Sequence, residues 1–218
     1  MEGLIHTALG KILGFLFPER CLGCRKEGTL LCKNCQAKSR KKHRPQSSLP
    51  FLDNLESWGS YQDKILRQAL RRFKYHGTYG LAYPLSEMLH DLIKPHLSSF
   101  EKNAVVLPIP AFPRRKNLRG YNQAELLAQN LSEKISLPCR PEAILKIRNT
   151  PSQTSLRGLE RILNVRDSFA VSDPQAVKNK TVLLVDDITT TGATLSEAAR
   201  VLKESGAKKV IGLVVAEG

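Results

Sequence analysis

The sequence predicts an α/β fold, with a twisted, mainly parallel sheet, helices on both faces and a small zinc-binding module at the amino end. Apolar runs at residues 105–110, 182–185 and 210–215 have the composition of strands buried in a parallel sheet. Helical patterns follow the first two runs, and four cysteines cluster near the amino terminus. The 218 residues leave room for one domain of about 150 to 180 residues and a small appendage. We expect residues 1–45 to form the appendage and residues 46–218 the main domain.

The first apolar stretch, residues 4–17, is interrupted by His6 and Lys11 and lacks the basic start of a signal peptide. It is also too short to span a bilayer. It therefore predicts an amphipathic helix that packs on the main domain, and we expect no membrane span in the chain.

Four of the five cysteines form two Cys-x-x-Cys pairs with seven residues between them. Two such pairs can surround one tetrahedral zinc ion at Zn–S distances of about 2.3 Å, and Gly23 and Asn34 suit the tight turns within the pairs. Four thiolates leave no position for water, so the predicted ion is structural. A redox dithiol is the alternative, but it requires one pair beside a βαβ unit. Clustered thiolates also favour the reducing cytoplasm. The predicted ligands are Cys21, Cys24, Cys32 and Cys35.

The net charge of +14 is concentrated in residues 20–76, where fourteen Lys and Arg face four acidic residues. Residues 43–60 are rich in Pro, Ser, Gln and Asn and predict a linker. Residues 62–76 predict an amphipathic helix followed by a capping glycine, Gly77. Its apolar side contains Ile65, Leu66, Ala69, Leu70 and Phe73, and its basic side contains Lys64, Arg67, Arg71 and Lys74. The basic side suits a nucleic-acid backbone, since neutralised phosphates release counterions; the alternative is an ordinary solvated face.

The strongest functional pattern follows the apolar run at residues 182–185. Asp186 and Asp187 lie at the carboxyl end of this predicted strand, where ligands bind in open α/β sheets. A hydroxyl-rich turn then leads into a helix at residues 194–204, whose free N–H groups suit a phosphate. Carboxylates suit the vicinal hydroxyls of a ribose, so the pattern indicates a ribose-5-phosphate site rather than an ordinary acidic turn. The turn contains Thr189, Thr190, Thr191, Gly192 and Thr194.

A second basic loop follows the strand predicted at residues 105–110. Arg114 and Arg115, with Lys116 and Arg119 nearby, precede a helix whose apolar side contains Leu127, Leu131 and Ile135. Because guanidinium groups bind phosphates in a bidentate manner, Arg114 and Arg115 suit a pyrophosphate group. A solvent-exposed turn is the alternative.

The acidic pair and its turn resemble the signature of the type I phosphoribosyltransferases. Together with the cysteine pairs, residues 73–77, 108–110 and 119–123, and the polar segment 148–164, they resemble the ComF family over essentially the whole chain. This resemblance implies that phosphoribosyl pyrophosphate (PRPP) binds with Mg²⁺, that the acidic pair holds the ribose hydroxyls, and that residues 148–164 close over the site.

The ComF resemblance implies a protein that binds PRPP and handles single-stranded DNA during natural transformation, with other DNA-uptake proteins as its partners. Two alternatives remain at the level of the sequence: a phosphoribosyltransferase of nucleotide salvage, and a non-catalytic PRPP sensor. A salvage enzyme has little use for a basic zinc module, and a pure sensor has little use for a closing loop. The sequence assigns no general base and leaves enzymatic activity open.

Overall fold

The computed structural model describes residues 18–40, 49–100, 103–114, 117, 120–150 and 164–218. The helix predicted at residues 4–17 lies outside these ranges, as do Arg115 and most of the predicted closing loop. Within the described part of the chain, no helix combines the length and the apolar character needed to cross a membrane.

The strands form one parallel sheet and one small antiparallel sheet. The strands are β1 (Asn54–Ser60), β2 (Ala104–Pro108), β3 (Ile144–Lys146), β4 (Phe169–Val171), β5 (Thr181–Thr189) and β6 (Lys209–Glu217). The four-stranded sheet has the order β1-β6-β5-β2, and every pairing in it is parallel. Strands β3 and β4 pair antiparallel. The predicted α/β class with a mainly parallel sheet is confirmed.

Helices cover both faces of the parallel sheet, as predicted. They are α1 (Lys33–Ser39), α2 (Lys64–Tyr75), α3 (Ala82–Ile93), α4 (Gln123–Ile135) and α5 (Ala193–Glu204). In β5, Leu183 and Val185 face a core built with α2, α3 and α4, whereas Val182 and Leu184 face the core that contains α5. The alternation of side chains along an extended strand explains why all four residues are buried.

The prediction of a linker through residue 60 is wrong for residues 54–60, which form β1. This strand lies at the edge of the sheet and pairs only with β6, and polar residues such as Glu56 and Ser57 interrupt its apolar pattern. Trp58 is nevertheless buried, with 3% of its surface exposed. The strand conformation of β1 therefore depends on its partner strand more than on its own local sequence.

Strand β5 is longer than the predicted run at residues 182–185. It continues through Asp186 and Asp187 to Thr189, which pairs with Glu217 of β6. The acidic pair consequently lies within a hydrogen-bonded strand end, and the turn before α5 is confined to residues 190–192. Gly77 has a φ of +60° directly after α2, which confirms the capping glycine.

The cysteine segment packs directly on the main sheet. Cys21, Leu31 and Cys35 belong to the same buried core as Trp58 and residues of α2. The Trp58 indole N–H donates to the Gln36 carbonyl and to the Ser39 hydroxyl of α1, each at 3.2 Å. The stability of this segment is therefore tied to that of the sheet.

Candidate functional site

A pocket of about 330 Å³ lies at the carboxyl edge of the parallel sheet. Its wall combines the end of β5, the start of α5, the end of α2 and the segment after β2. The residues that matter for its chemistry are Arg71, Lys74, Asn122, Asp186, Asp187, Thr189, Thr190, Gly192 and Thr194. Parallel strands place all of these chain segments at one edge, which is where the sequence predicts a ligand.

The two carboxylates of the acidic pair occupy different environments. Asp187 has the same strand parity as Leu183 and Val185, so its side chain faces the layer of α2; only 4% of its surface is exposed. Asp186 points the other way, remains half-buried, and its carboxylate accepts a hydrogen bond of 2.8 Å from the Asp187 backbone N–H. The pair can therefore offer acceptor oxygens to two adjacent hydroxyl groups.

Lys74 at the end of α2 forms an ion pair with Asp187. Its Nζ lies 3.3 Å from Asp187 Oδ1 and 3.2 Å from Oδ2, and the lysine side chain is only 25% exposed. The two residues are 113 positions apart in the sequence. The sequence predicts Lys74 on the basic, DNA-binding side of α2, whereas the structure places its ammonium group in the pocket.

The segment after β2 holds the end of α2 in place. The Tyr121 hydroxyl donates to the backbone carbonyl of Phe73, next to Lys74, and the rings of Tyr121 and Phe73 lie 5.8 Å apart. The Asn122 side-chain amide donates to the Ile109 carbonyl at 3.0 Å. The Tyr121 contact with Phe73 therefore helps to fix the position from which Lys74 reaches Asp187.

The hydroxyl-rich turn leads directly into α5. Gly192 is the N-cap of α5 with a φ of +73°, and a Cβ at this position would lie 2.4 Å from the Leu49 side chain. The backbone conformation therefore disfavours a larger residue, which would also require the Leu49 side chain to move. The turn exposes Thr190 to the pocket, and Gly192, Ala193 and Thr194 at the amino end of α5 line the same space; a helix amino end is suited to an anion.

The charge of the acidic pair is only partly compensated. Burial, together with the neighbouring Asp187 carboxylate, raises the pKa of Asp186 to about 8, and the Lys74 ammonium opposes this rise. Asp186 therefore holds a proton in the folded protein at pH values where it would be ionised in the unfolded chain.

This raised pKa predicts that the free protein loses stability as pH rises. Between the unfolded pKa of about 4 and the folded pKa of about 8, the folded state binds more protons, so the contribution of Asp186 is complete below pH about 4 and lost as pH passes about 8. We expect Asp186→Asn to reduce the fall in melting temperature between pH 5 and pH 8. Thermal melts of both proteins at low salt test this, and identical pH profiles would contradict it. Asp173→Asn, outside the pocket, is the control.

Most residues of the predicted ribose-phosphate site line the pocket, whereas Thr191 does not. The Thr191 hydroxyl instead accepts from the Ala193 N–H at 3.4 Å, within the turn. Arg114 is exposed and is not a lining residue, although Ala111 and Phe112 just before it are. Arg148 and Thr150 belong to the predicted closing loop at residues 148–164; Arg148 donates to the Asn164 carbonyl at 3.2 Å and Thr150 lines the pocket.

The basic side of α2 forms a second concavity of about 280 Å³. Lys64, Arg67 and Arg71 are exposed there, as predicted. Arg71 also lines the main pocket, so the positive charge of residues 20–76 does not all lie outside the ligand site. The lining residues of this second concavity are Lys64, Arg67, Gln68, Arg71, Arg72 and His76.

The four predicted zinc ligands come together. Their sulfur atoms all lie within 4.8 Å of one another, and Cys24 Sγ lies 3.6 Å from Cys32 Sγ. A tetrahedral ion with Zn–S distances of about 2.3 Å requires sulfur separations of about 3.8 Å, so the cluster could hold such an ion. Gly23 is required for space, because a Cβ there would lie 2.6 Å from Cys35 Sγ. Asn34 lies in α1 instead of a left-handed turn, which Arg25 adopts.

The thiols in this cluster differ in their tendency to ionise. Burial disfavours the Cys21 thiolate, but N–H groups of Cys32, Cys24 and Gly23 outweigh it and lower the Cys21 pKa to about 6. Burial and the neighbouring cysteines raise the Cys35 pKa to about 12. Four thiolates cannot share so small a volume without a cation, which is what a divalent metal would supply.

Comparisons with known proteins agree with this geometry. Residues 119–218 match the family described as the phosphoribosyl transferase domain. "Competence protein ComFC" of Bacillus subtilis (strain 168) is 30% identical over 207 residues, which cover 92% of this chain and 77% of that protein. The chain belongs to the ComF family.

Two further relatives extend the ComF assignment. "Competence protein F" of Haemophilus influenzae is 26% identical over 220 residues, covering 89% of this chain and 95% of that protein. "DNA utilization protein YhgH" of Escherichia coli O157:H7 is 35% identical over 105 residues, covering 48% of this chain and 45% of that protein. The resemblance found in the sequence motifs is thereby confirmed.

Proposed function

We propose that this ComF-family protein binds PRPP with Mg²⁺ in the pocket and single-stranded DNA on the basic side of α2, and that it acts in DNA uptake. The observation that supports the ligand best is the acidic pair at the end of β5, which shares one pocket with the amino end of α5. The names of the relatives, two of them competence proteins and one a DNA utilization protein, support the process.

Each chemical group of the ligand corresponds to a different part of the pocket. Asp186 and Asp187 accept hydrogen bonds from the ribose hydroxyls, and the turn at residues 189–194 with the N–H groups of α5 receives the 5′-phosphate. Mg²⁺ accompanies the ligand and offsets the charge of its pyrophosphate. When a ribose hydroxyl donates its hydrogen bond to Asp187, the Lys74 ammonium leaves Asp187 and moves toward the ligand phosphates. Arg71 supplies a second cation, and Arg114 and Arg115 remain the proposed pyrophosphate residues of the adjacent loop.

The same pocket could support a transferase. There, the acidic pair would stabilise the positive charge that develops on the ribose as pyrophosphate leaves. The basic concavity on α2 favours the DNA-handling function, since a small-molecule salvage enzyme has no electrostatic need for it. Isothermal titration with PRPP in the presence and absence of Mg²⁺ tests the ligand, and incubation with candidate bases followed by pyrophosphate detection tests transfer.

We further propose that the cysteine cluster holds a structural zinc ion and that the protein works in the cytoplasm, where its thiols stay reduced. The ion would join the two cysteine pairs and fix α1 against β1. Other DNA-uptake proteins are the proposed protein partners.

The proposed DNA site predicts a specific change in salt dependence. We expect Lys64→Glu combined with Arg67→Glu to weaken binding of single-stranded DNA, because both residues line the concavity on α2 but not the PRPP pocket. Each lost phosphate contact should lower the slope of log affinity against log salt by about 0.7. Fluorescence anisotropy over a salt series measures both effects.

Lys178→Glu combined with Lys208→Glu is the charge-matched control. Both residues are exposed and lie near the amino edge of the sheet, where Lys178 bridges to Ala207. The control should keep DNA affinity within about twofold, on the expectation that distant charges act weakly at moderate salt. Equal losses in both double variants would show that net charge, and not a site on α2, drives binding.

A further inference from the structure

Three exposed tyrosines follow the basic side of α2. Tyr75 is 62% exposed, Tyr79 53% and Tyr83 56%. Large aromatic side chains are usually at least partly buried, and here three exposed ones lie within nine residues of chain, the first of which, Tyr75, lines the pocket. No part of the PRPP site described above requires Tyr79 or Tyr83.

Neighbouring groups position two of these rings, Tyr79 and Tyr83. Tyr75 ends α2 and lines the pocket together with Arg71. Tyr79 begins a short 3₁₀ turn that runs directly into α3, and its ring lies 4.5 Å from the ring of Tyr121. Tyr83 follows one helical turn later, with Lys134 Nζ 4.1 Å from its ring centre. Because Tyr121 is itself hydrogen-bonded to the Phe73 carbonyl, the Tyr79 ring packs against a side chain that is held in position.

Cations lie near both ends of this group of tyrosines. Arg71 and Arg72 line the concavity on α2, and Lys134 lies over the ring of Tyr83. Positive charge next to exposed aromatic rings is the chemistry by which proteins hold single-stranded nucleic acid: cations contact the phosphates while bases stack on the rings.

We propose that Tyr75, Tyr79 and Tyr83 form a base-stacking row that continues the DNA site of α2 past the mouth of the PRPP pocket. This inference rests on the proposed DNA-binding function and adds the contact with the bases. A second copy of this chain is the less suitable occupant, because the flanking surface is basic and the chain carries a net charge of +14, so two such surfaces would repel each other.

The test compares Tyr79→Ala/Tyr83→Ala with Tyr79→Phe/Tyr83→Phe, which keeps the rings and removes only the hydroxyls. Tyr75 is left unchanged because it also lines the PRPP pocket. The probes are an oligothymidylate and an abasic strand of equal length, measured by fluorescence anisotropy. We expect the alanine pair to weaken oligothymidylate binding about thirtyfold through the loss of two stacked bases, and the phenylalanine pair to bind like the unchanged protein.

The abasic strand separates stacking from other causes. It has phosphates but no bases, so all three proteins should bind it equally and with the same salt slope. An alanine pair that keeps its affinity for oligothymidylate, or that loses the same factor on the abasic strand, overturns the stacking row. So does light scattering that shows the alanine pair dissociating a dimer.

Failure of the proposed function would look different. If the unchanged protein bound neither strand at low salt, the DNA site on α2 and the stacking row would both be wrong. If Lys64→Glu with Arg67→Glu lost DNA binding while the alanine pair did not, only the stacking row would be wrong. Unchanged thermal stabilisation by PRPP in every variant verifies that the sheet and pocket remain folded.

Discussion

We expect Asp187→Ala to abolish the thermal stabilisation that PRPP with Mg²⁺ gives to the unchanged protein. A ligand that binds only the folded state stabilises it by about 2.7 kcal/mol at a concentration one hundred times its Kd. Asp187 is 4% exposed and is the carboxylate that Lys74 pairs with, so its removal takes away the proposed acceptor for a ribose hydroxyl and leaves the Lys74 ammonium without this partner. Differential scanning fluorimetry across a PRPP series measures the effect.

Asp173→Ala is the matched control for this experiment. Asp173 caps a short 3₁₀ turn through the N–H groups of Gln175 and Ala176 and lies outside the pocket. Its replacement should lower the melting temperature of the free protein slightly and keep the ligand-induced shift. If PRPP stabilises Asp187→Ala as much as the unchanged protein, the acidic pair is not the ribose site.

The second large effect is expected at the cysteine cluster. We expect Cys35→Ser to abolish binding of the proposed zinc ion and to lower the melting temperature by about 10 °C or more, which corresponds to a loss of roughly 3 kcal/mol for a chain of this size. The reason is that Cys35 is both a proposed ligand and a member of the core shared with Trp58, so the loss of the ion loosens α1 against β1. Metal analysis and calorimetry provide the two measurements.

Cys139→Ser distinguishes metal loss from the general effect of removing a thiol. Cys139 lies beside β2, bridged to Val106, away from the four clustered cysteines. The control should retain its zinc and lose much less stability. A native protein purified without chelators that contains no zinc, and whose melt is unchanged by Cys35→Ser, would refute the structural ion.

Local patterns in the sequence were sufficient for most of the sheet. Strands β2, β5 and β6 are continuous apolar runs, and α2 has an apolar side of helical period, so each is specified by its own residues. The two cysteine pairs needed only their spacing to indicate one cluster, because ligands close in sequence reach one point in space with little help from the fold. The ComF resemblance had the same basis in short motifs.

Elements that depend on distant partners could not be found in this way. Strand β1 has a polar, interrupted pattern and becomes a strand through its pairing with β6, more than 150 residues later in the chain. Helix α3 was not anticipated, although six of its first eight residues are buried, namely Ala82, Pro84, Leu85, Ser86, Met88 and Leu89.

The residues of the candidate site likewise fall into those that local motifs reveal and those that depend on distant contacts. The sequence by itself determined the acidic pair, the hydroxyl-rich turn and the cysteine ligands, since each is a short motif whose chemistry depends on neighbouring residues. Only the tertiary structure decided that Lys74 pairs with Asp187 in the pocket, that Arg71 borders both the pocket and the basic concavity, and that three nearby tyrosines are exposed. Helical period places Lys74 on one side of α2. The packing of α2 on the sheet and the contact of Tyr121 with Phe73 bring that side of the helix to Asp187. Because the two residues of this ion pair are 113 positions apart, the sequence around either of them carries no sign of it.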